Sequence, residues 1–174
     1  MTLYYLAYGS NLHPIRLTER IPSTKFVGVS LLDGYQLHFH KHGTDDSGKC
    51  NILNTNNSSH NVYSAIYAID KEHKSLLDEF EGPGYVSKEI HVICDEKKLR
   101  CFAYFANDSH INDSVEPYHW YKEIVQLGAE YHGFPQDYIS HILTFNSKHD
   151  PDHTRRDKHE NLITKIISHS KDQK

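Results

Sequence analysis

Apolar and aromatic residues gather at Tyr4-Tyr5-Leu6-Ala7-Tyr8 and stop at Gly9-Ser10-Asn11, which predicts a buried strand over residues 3–8 running into a tight turn. Pro14, suited to a first helical turn, predicts a helix over 14–20 that ends at Ile21-Pro22. Residues 25–32 read as a second strand, Asp33-Gly34 as a turn, and Tyr35 to His40 as an alternating, half-buried strand. A loop is expected over 42–51, a short strand over 52–54 and a solvated loop over 54–61. The run 62–69 is strongly β, and Asp70 is placed to cap a helix over 71–80 that buries Leu76, Leu77 and Phe80. Residues 81–85 break that helix, and 86–94 with 99–105 form a hairpin, followed by a loop over 107–114. Glu116-Pro117 opens the next helix, with Pro117 at its first position and Trp120, Ile124 and Leu127 facing inward. Gly133 ends it, and Pro135 starts another that buries Ile139, Ile142 and Leu143. From Asn146 the chain turns polar and His-rich, so residues 146–174 read as a tail with mobile ends and a short amphipathic helix on Leu162, Ile163, Ile166 and Ile167.

Strands and helices mix without regular βαβ alternation, so the fold class is α+β, with one domain over residues 1–145 followed by the tail. Twelve tyrosines against one methionine favour sheet over helical bundle. A net charge of −4 argues against nucleic acid as the partner. No apolar run is long enough to span a bilayer, and no signal peptide opens the chain. Cys50, Cys94 and Cys101 lack CxxC spacing, which points to a reduced, cytoplasmic protein.

Two features carry chemistry. A strand, a Gly-Ser-Asn turn and a helix start can present free backbone N–H groups to a carboxylate, a phosphate or an oxyanion, or can simply be a turn. Glu81 sits at a helix end between Phe80 and Gly82-Pro83-Gly84. The helix dipole and partial desolvation by Phe80 and nearby tyrosines raise a carboxyl's pKa, as a general base and acid requires; an exposed helix-end glutamate is the bland alternative. Fifteen histidines raise metal binding, through the alternating His38, His40 and His42 or through His149 and His153, but no HExxH-type pair stands on a helix. Ser10 as nucleophile lacks a His/Asp partner nearby in sequence, and nothing around Cys50 marks a lowered pKa.

Tyr8-Gly9-Ser10-Asn11-Leu12, Phe80-Glu81-Gly82 with Tyr85, and Tyr104 on a strand together resemble the γ-glutamylcyclotransferase family. The stretch from Tyr121 to Ala129, continued by Gly133-Phe134-Pro135, resembles its animal branch, and Asp45 to Ile52 is similar to the family's glycine-containing loop. The resemblance covers roughly residues 3–145, several motifs agreeing in order. It implies a small mixed β-barrel with flanking helices, and cyclisation of a γ-glutamyl group to 5-oxoproline with release of an amine or amino acid. It implies Glu81 as the acid/base residue, and Tyr8, Gly9, Ser10, Asn11, Leu12, His13, Tyr85, Tyr104 and Tyr121 as substrate-binding residues. His13 stands where the family is usually apolar, and the 82–84 turn is shorter than its animal counterpart. The partner expected is a small γ-glutamyl molecule, with no nucleic acid, membrane, metal or cofactor, on a monomer or homodimer. The 42–51 loop and the 107–118 segment are expected to line the amine side of the pocket. A non-catalytic binding module on the same scaffold is the alternative.

Overall fold

The computed structural model describes residues 1–172. In chain order the elements are β1 (Thr2–Ala7), α1 (Pro14–Arg20), β2 (Lys25–Asp33), β3 (Tyr35–His42), β4 (Gly48–Asn54), β5 (Asn61–Asp70), α2 (Lys74–Glu81), β6 (Tyr85–Cys94), β7 (Lys97–Ala106), α3 (His119–Tyr131), α4 (Gln136–Thr144) and α5 (His153–Asp172). β1 is the middle strand of a five-stranded sheet ordered β2-β5-β1-β7-β6, while β3 and β4 form a separate hairpin. β1 runs antiparallel to β5 and parallel to β7, so the sheet is mixed. It curls until its edges meet: the Ser30 hydroxyl on β2 donates to the Ile93 carbonyl on β6 at 2.9 Å. Gly28 permits that approach, since a Cβ there would lie 2.5 Å from Cys94 Sγ. The result is the expected α+β class in the form of a curled half-barrel.

The core follows from the apolar runs of the two central strands. Leu6, Ala7, Ala65, Ile66 and Tyr67 are fully buried, and Leu17 of α1 with Ile124 of α3 close over them. β1 therefore hands the Gly9–Asn11 turn and α1 to a fixed position above the sheet's end.

Several local expectations change. β4 already begins at Gly48, so the 42–51 loop is shorter than expected. Residues 71–73 form a 3-10 turn before α2, and the Asp70 side chain makes no capping bond. That turn shifts the helical phase: Leu77 is buried, whereas Leu76 and Phe80 are exposed, the latter 52%. α3 starts at His119, two residues past Pro117, with Tyr118 as its cap. Leu143 and Ile167 also face outward.

The polar C-terminal stretch folds into a 20-residue helix against α3, not a short one. Leu162, Ile163 and Ile166 are its buried stripe, and polar contacts anchor its start. The His159 ring stacks on Trp120 at 3.7 Å. Trp120 Nε1 donates to Asp150 at 2.8 Å, and Arg155 donates to the same carboxylate through Nε at 2.7 Å and a second nitrogen at 2.5 Å. Burial alone would push the Asp150 carboxyl up; these donors and the Asp152 amide outweigh it and hold the carboxyl below its usual range. Asp150→Ala leaves an indole N–H and a guanidinium without their acceptor, and the expected cost is about 2–3 kcal/mol, read as a lower urea midpoint at unchanged slope.

Candidate active site

β1 ends at Ala7, and the Leu12 amide donates to the Gly9 carbonyl at 3.0 Å, closing the turn before α1. Pro14 occupies the first turn of α1, where no amide donor is needed. Among the described residues, the amides of Gly9, Ser10 and Asn11 have no hydrogen-bond partner. Gly9 is needed for space: a Cβ there would meet Cys50 Cβ at 2.8 Å. Across from the turn, Glu81 is the last residue of α2, half-buried.

Turn and carboxylate meet. Asn11 Nδ2 donates to Glu81 Oε1 at 2.7 Å, and Arg20 donates to Asn11 Oδ1 at 2.9 Å, which fixes the amide with its nitrogen toward Glu81. Tyr5 Oη lies 3.4 Å from the same carboxylate oxygen. Glu81 Oε2 has no partner among the described residues. Burial pushes the Glu81 carboxyl above its ordinary range, against the pull of Arg20, Arg16 and the Tyr5 hydroxyl. The wall that desolvates it is Tyr5 and the turn; Phe80 instead lies outside, under the Arg20 guanidinium at 5.2 Å.

The space between them is a cleft of about 280 Å³ lined by Glu81, the 8–11 turn, Tyr85, Tyr104 and Tyr121, together with Tyr5 and Cys50. Its tyrosines keep their protons, because burial raises every one of them. Four of those protons are already committed: Tyr5 to Glu81 at 3.4 Å, Tyr8 to the Tyr104 carbonyl, Tyr85 to the Cys50 carbonyl at 2.5 Å, and Tyr104 to Asp78 at 2.6 Å. Tyr121 differs, since its oxygen accepts from the Cys50 amide at 3.1 Å, with the Ser10 hydroxyl and the Cys50 thiol also within hydrogen-bonding reach. Burial pushes the Cys50 thiol up to about 12, so it is no thiolate.

Leu12 and His13 do not reach this cleft. Leu12 is fully buried, and its carbonyl takes donors from Tyr67 at 2.5 Å and His132 at 2.8 Å. His13 caps α1 through Nδ1, which accepts from the Ile15 amide at 3.3 Å, and its ring packs on Tyr131 at 4.5 Å. Tyr5 and Cys50 are the lining residues that sequence reasoning missed. Tyr5 stands on β1 just ahead of the turn, a usable signal; Cys50 became visible only once β4 was seen to start at Gly48.

A wider cleft, about 940 Å³, shares Ser10, Glu81, Tyr85 and Tyr121 with the first. Gly43 to Asp45 and Lys49 line it, as expected of the 42–51 loop. The 107–118 segment does not; α1, the end of α2, and Arg155 and His159 of α5 take its place. The reason lies in the 107–114 loop, which is drawn back onto β3: Asp113 sits 2.9 Å from His40 Nδ1, and the Asn112 amide donates to the His40 carbonyl. Those bonds, with Asn51 on Nε2, also occupy both nitrogens of His40. Among the described residues no group of three or more His, Cys, Asp or Glu is placed to hold a metal. No helix among them is long and apolar enough to cross a membrane.

Residues 61–142 match the AIG2-like family. A mouse γ-glutamylcyclotransferase is 32% identical over 150 residues, spanning 79% of this chain and 75% of the relative. The human γ-glutamylcyclotransferase is 32% identical over 143 residues, spanning 77% and 73%. A solved γ-glutamyl cyclotransferase structure superposes with a TM-score of 0.80 at 25% identity, covering 95% of this chain and 99% of its own. These relatives are enzymes of one class, and at this identity and coverage the chain belongs to the γ-glutamylcyclotransferase family.

Proposed function

We propose that the protein cyclises γ-glutamyl compounds to 5-oxoproline, with Glu81 as the group that moves the proton. The observation that carries this reading is one carboxylate, raised by burial, held at 2.7 Å by the turn whose amides stand free. The substrate's γ-glutamyl group occupies the narrow cleft. Glu81 takes a proton from its α-amine, and the amine nitrogen attacks the γ-carbonyl carbon, a five-membered closure favoured by proximity. The carbonyl oxygen gains charge and is met by the amides of Gly9, Ser10 and Asn11. Tyr121, which lines the same cleft, turns its hydroxyl to donate to the α-carboxylate. Glu81 then returns the proton to the leaving nitrogen, the old carbon–nitrogen bond breaks, and 5-oxoproline and an amine depart. The free thiols of Cys50, Cys94 and Cys101 support a reducing, cytoplasmic setting.

Incubation with a panel of γ-glutamyl amino acids, γ-glutamylamines and glutathione is expected to yield 5-oxoproline and free amine in equal amounts from at least one class. No product from any of them would leave a binding module on this scaffold.

A further inference from the structure

The two clefts that meet at Glu81 differ in charge. The narrow one has Glu81 as its sole Asp, Glu, Lys or Arg among the described residues. The wider one is lined by Arg16, Arg20, Lys41, Lys49 and Arg155 against Asp45, Glu79 and Glu81. Two of these cations are already neutralised: Lys49 by Asp45 at 2.7 Å and Arg155 by Asp150 at 2.5 Å. Arg20 donates to the neutral Asn11 amide and keeps its charge, but it is only half-buried, so water screens it. Arg16 and Lys41 are neither neutralised nor screened. Arg16 is 5% exposed; its Nε has no partner, and a terminal nitrogen lies 3.5 Å from His159 Nδ1. Lys41 is 3% exposed, with its ammonium 4.8 Å above the Tyr85 ring. Neither has a carboxylate within ion-pair distance among the described residues. Burying a cation without a counter-ion is costly, and a ligand that brings the anion removes that cost.

We infer that the wider cleft seats the leaving group, and that Arg16 and Lys41 select γ-glutamyl conjugates of a dicarboxylic amine over those of a neutral amino acid. The inference rests on the cyclisation reading above, which places the γ-glutamyl half in the narrow cleft. The leaving nitrogen must depart past Glu81, whose wall, with Ser10, Tyr85 and Tyr121, both clefts share. A leaving amino acid therefore enters the cationic side. One carboxylate satisfies one buried cation; a second carboxylate satisfies the other. Both cations sit on rigid elements, Arg16 on α1 and Lys41 on β3, so the site is built before ligand arrives.

The test compares kcat/KM for γ-glutamylglutamate and its near-isostere γ-glutamylglutamine, with γ-glutamylmethylamide as a leaving group lacking any carboxylate. The wild-type protein is expected to prefer the glutamate conjugate over the glutamine one by about 10–100-fold, mostly through KM, the effect of one charge-assisted contact. In Lys41→Met that ratio falls toward one. Taking the ratio within each variant cancels any change in Glu81 that loss of a nearby cation causes. Arg16→Met serves as the second variant, and the wild-type ratio, shrinking as potassium chloride is raised, needs no variant at all. Equal kcat/KM for the glutamate and glutamine conjugates overturns the inference while cyclisation stands. A full ratio retained in both variants overturns it as well. Absence of 5-oxoproline from all three substrates overturns the reading beneath it.

Discussion

Glu81→Gln folds as the wild type does and loses about 10²–10⁴-fold in 5-oxoproline release. The amide is nearly isosteric, and its oxygen still accepts from Asn11 Nδ2, so the cup between turn and helix end is kept. What disappears is the ability to hold a proton between two nitrogens. The wild-type pH profile carries the same signature with a definite sign. In the proposed role Glu81 acts as a base only when ionised, and burial places that ionisation above the ordinary carboxylate value. The rising limb of kcat/KM therefore lies at higher pH than for an exposed glutamate. Asn11→Ala removes a hydrogen bond made to the charged form, which moves the limb higher still. A change in KM alone, with the limb unmoved, would show that Asn11 binds substrate without positioning the carboxylate. Thermal melts of both variants, matched to wild type, separate lost chemistry from lost fold; Glu81→Gln with wild-type turnover removes the mechanism.

The parts of this site that sequence reveals are those fixed by local rules. A strand that ends in Gly-Ser-Asn and a proline at the next helix's first turn decide the β1–α1 corner within a dozen residues, and the corner stands as expected. Glu81 is legible for the same reason, as a carboxylate stranded at a helix end before a glycine turn. What fails is set by distant partners. Phe80 reads as core by helical spacing, yet the 3-10 turn over 71–73 shifts the phase and Arg20 covers it from outside. The C-terminal helix is expected on Leu162, Ile163 and Ile166 and forms there, but its full 20-residue length is hidden by polar composition, because much of its anchoring is polar, through Asp150, Trp120 and His159. His13 follows the turn directly in sequence, so it reads as part of the substrate loop, but the α1 start swings it away beneath α3.

Burying that histidine makes the fold acid-sensitive. His13 is fully buried, and its Nε2 has no partner, so the neutral ring is favoured. Burial first, then His169 and His132, pull its pKa down from 6.5 to about 4. Burial, with Arg16 and Arg20 nearby, takes His159 to about 3. For a depressed histidine the unfolded chain binds the proton first, so its contribution is fully present above pH 6.5 and is lost as pH falls toward the folded value. At pH 5 each ring is expected to have cost roughly 2 kcal/mol relative to pH 7.5, a fall to be read from urea midpoints at the two pH values. His13→Leu removes one titrating site and also the acceptor for the Ile15 amide, so its stability at a single pH mixes two effects. The difference between pH 7.5 and pH 5 isolates the proton, because the lost cap is present at both. That difference should shrink by about half the combined effect of the two rings. An unchanged difference would mean that the His13 ring already charges inside the folded protein, with a proton acceptor brought to Nε2.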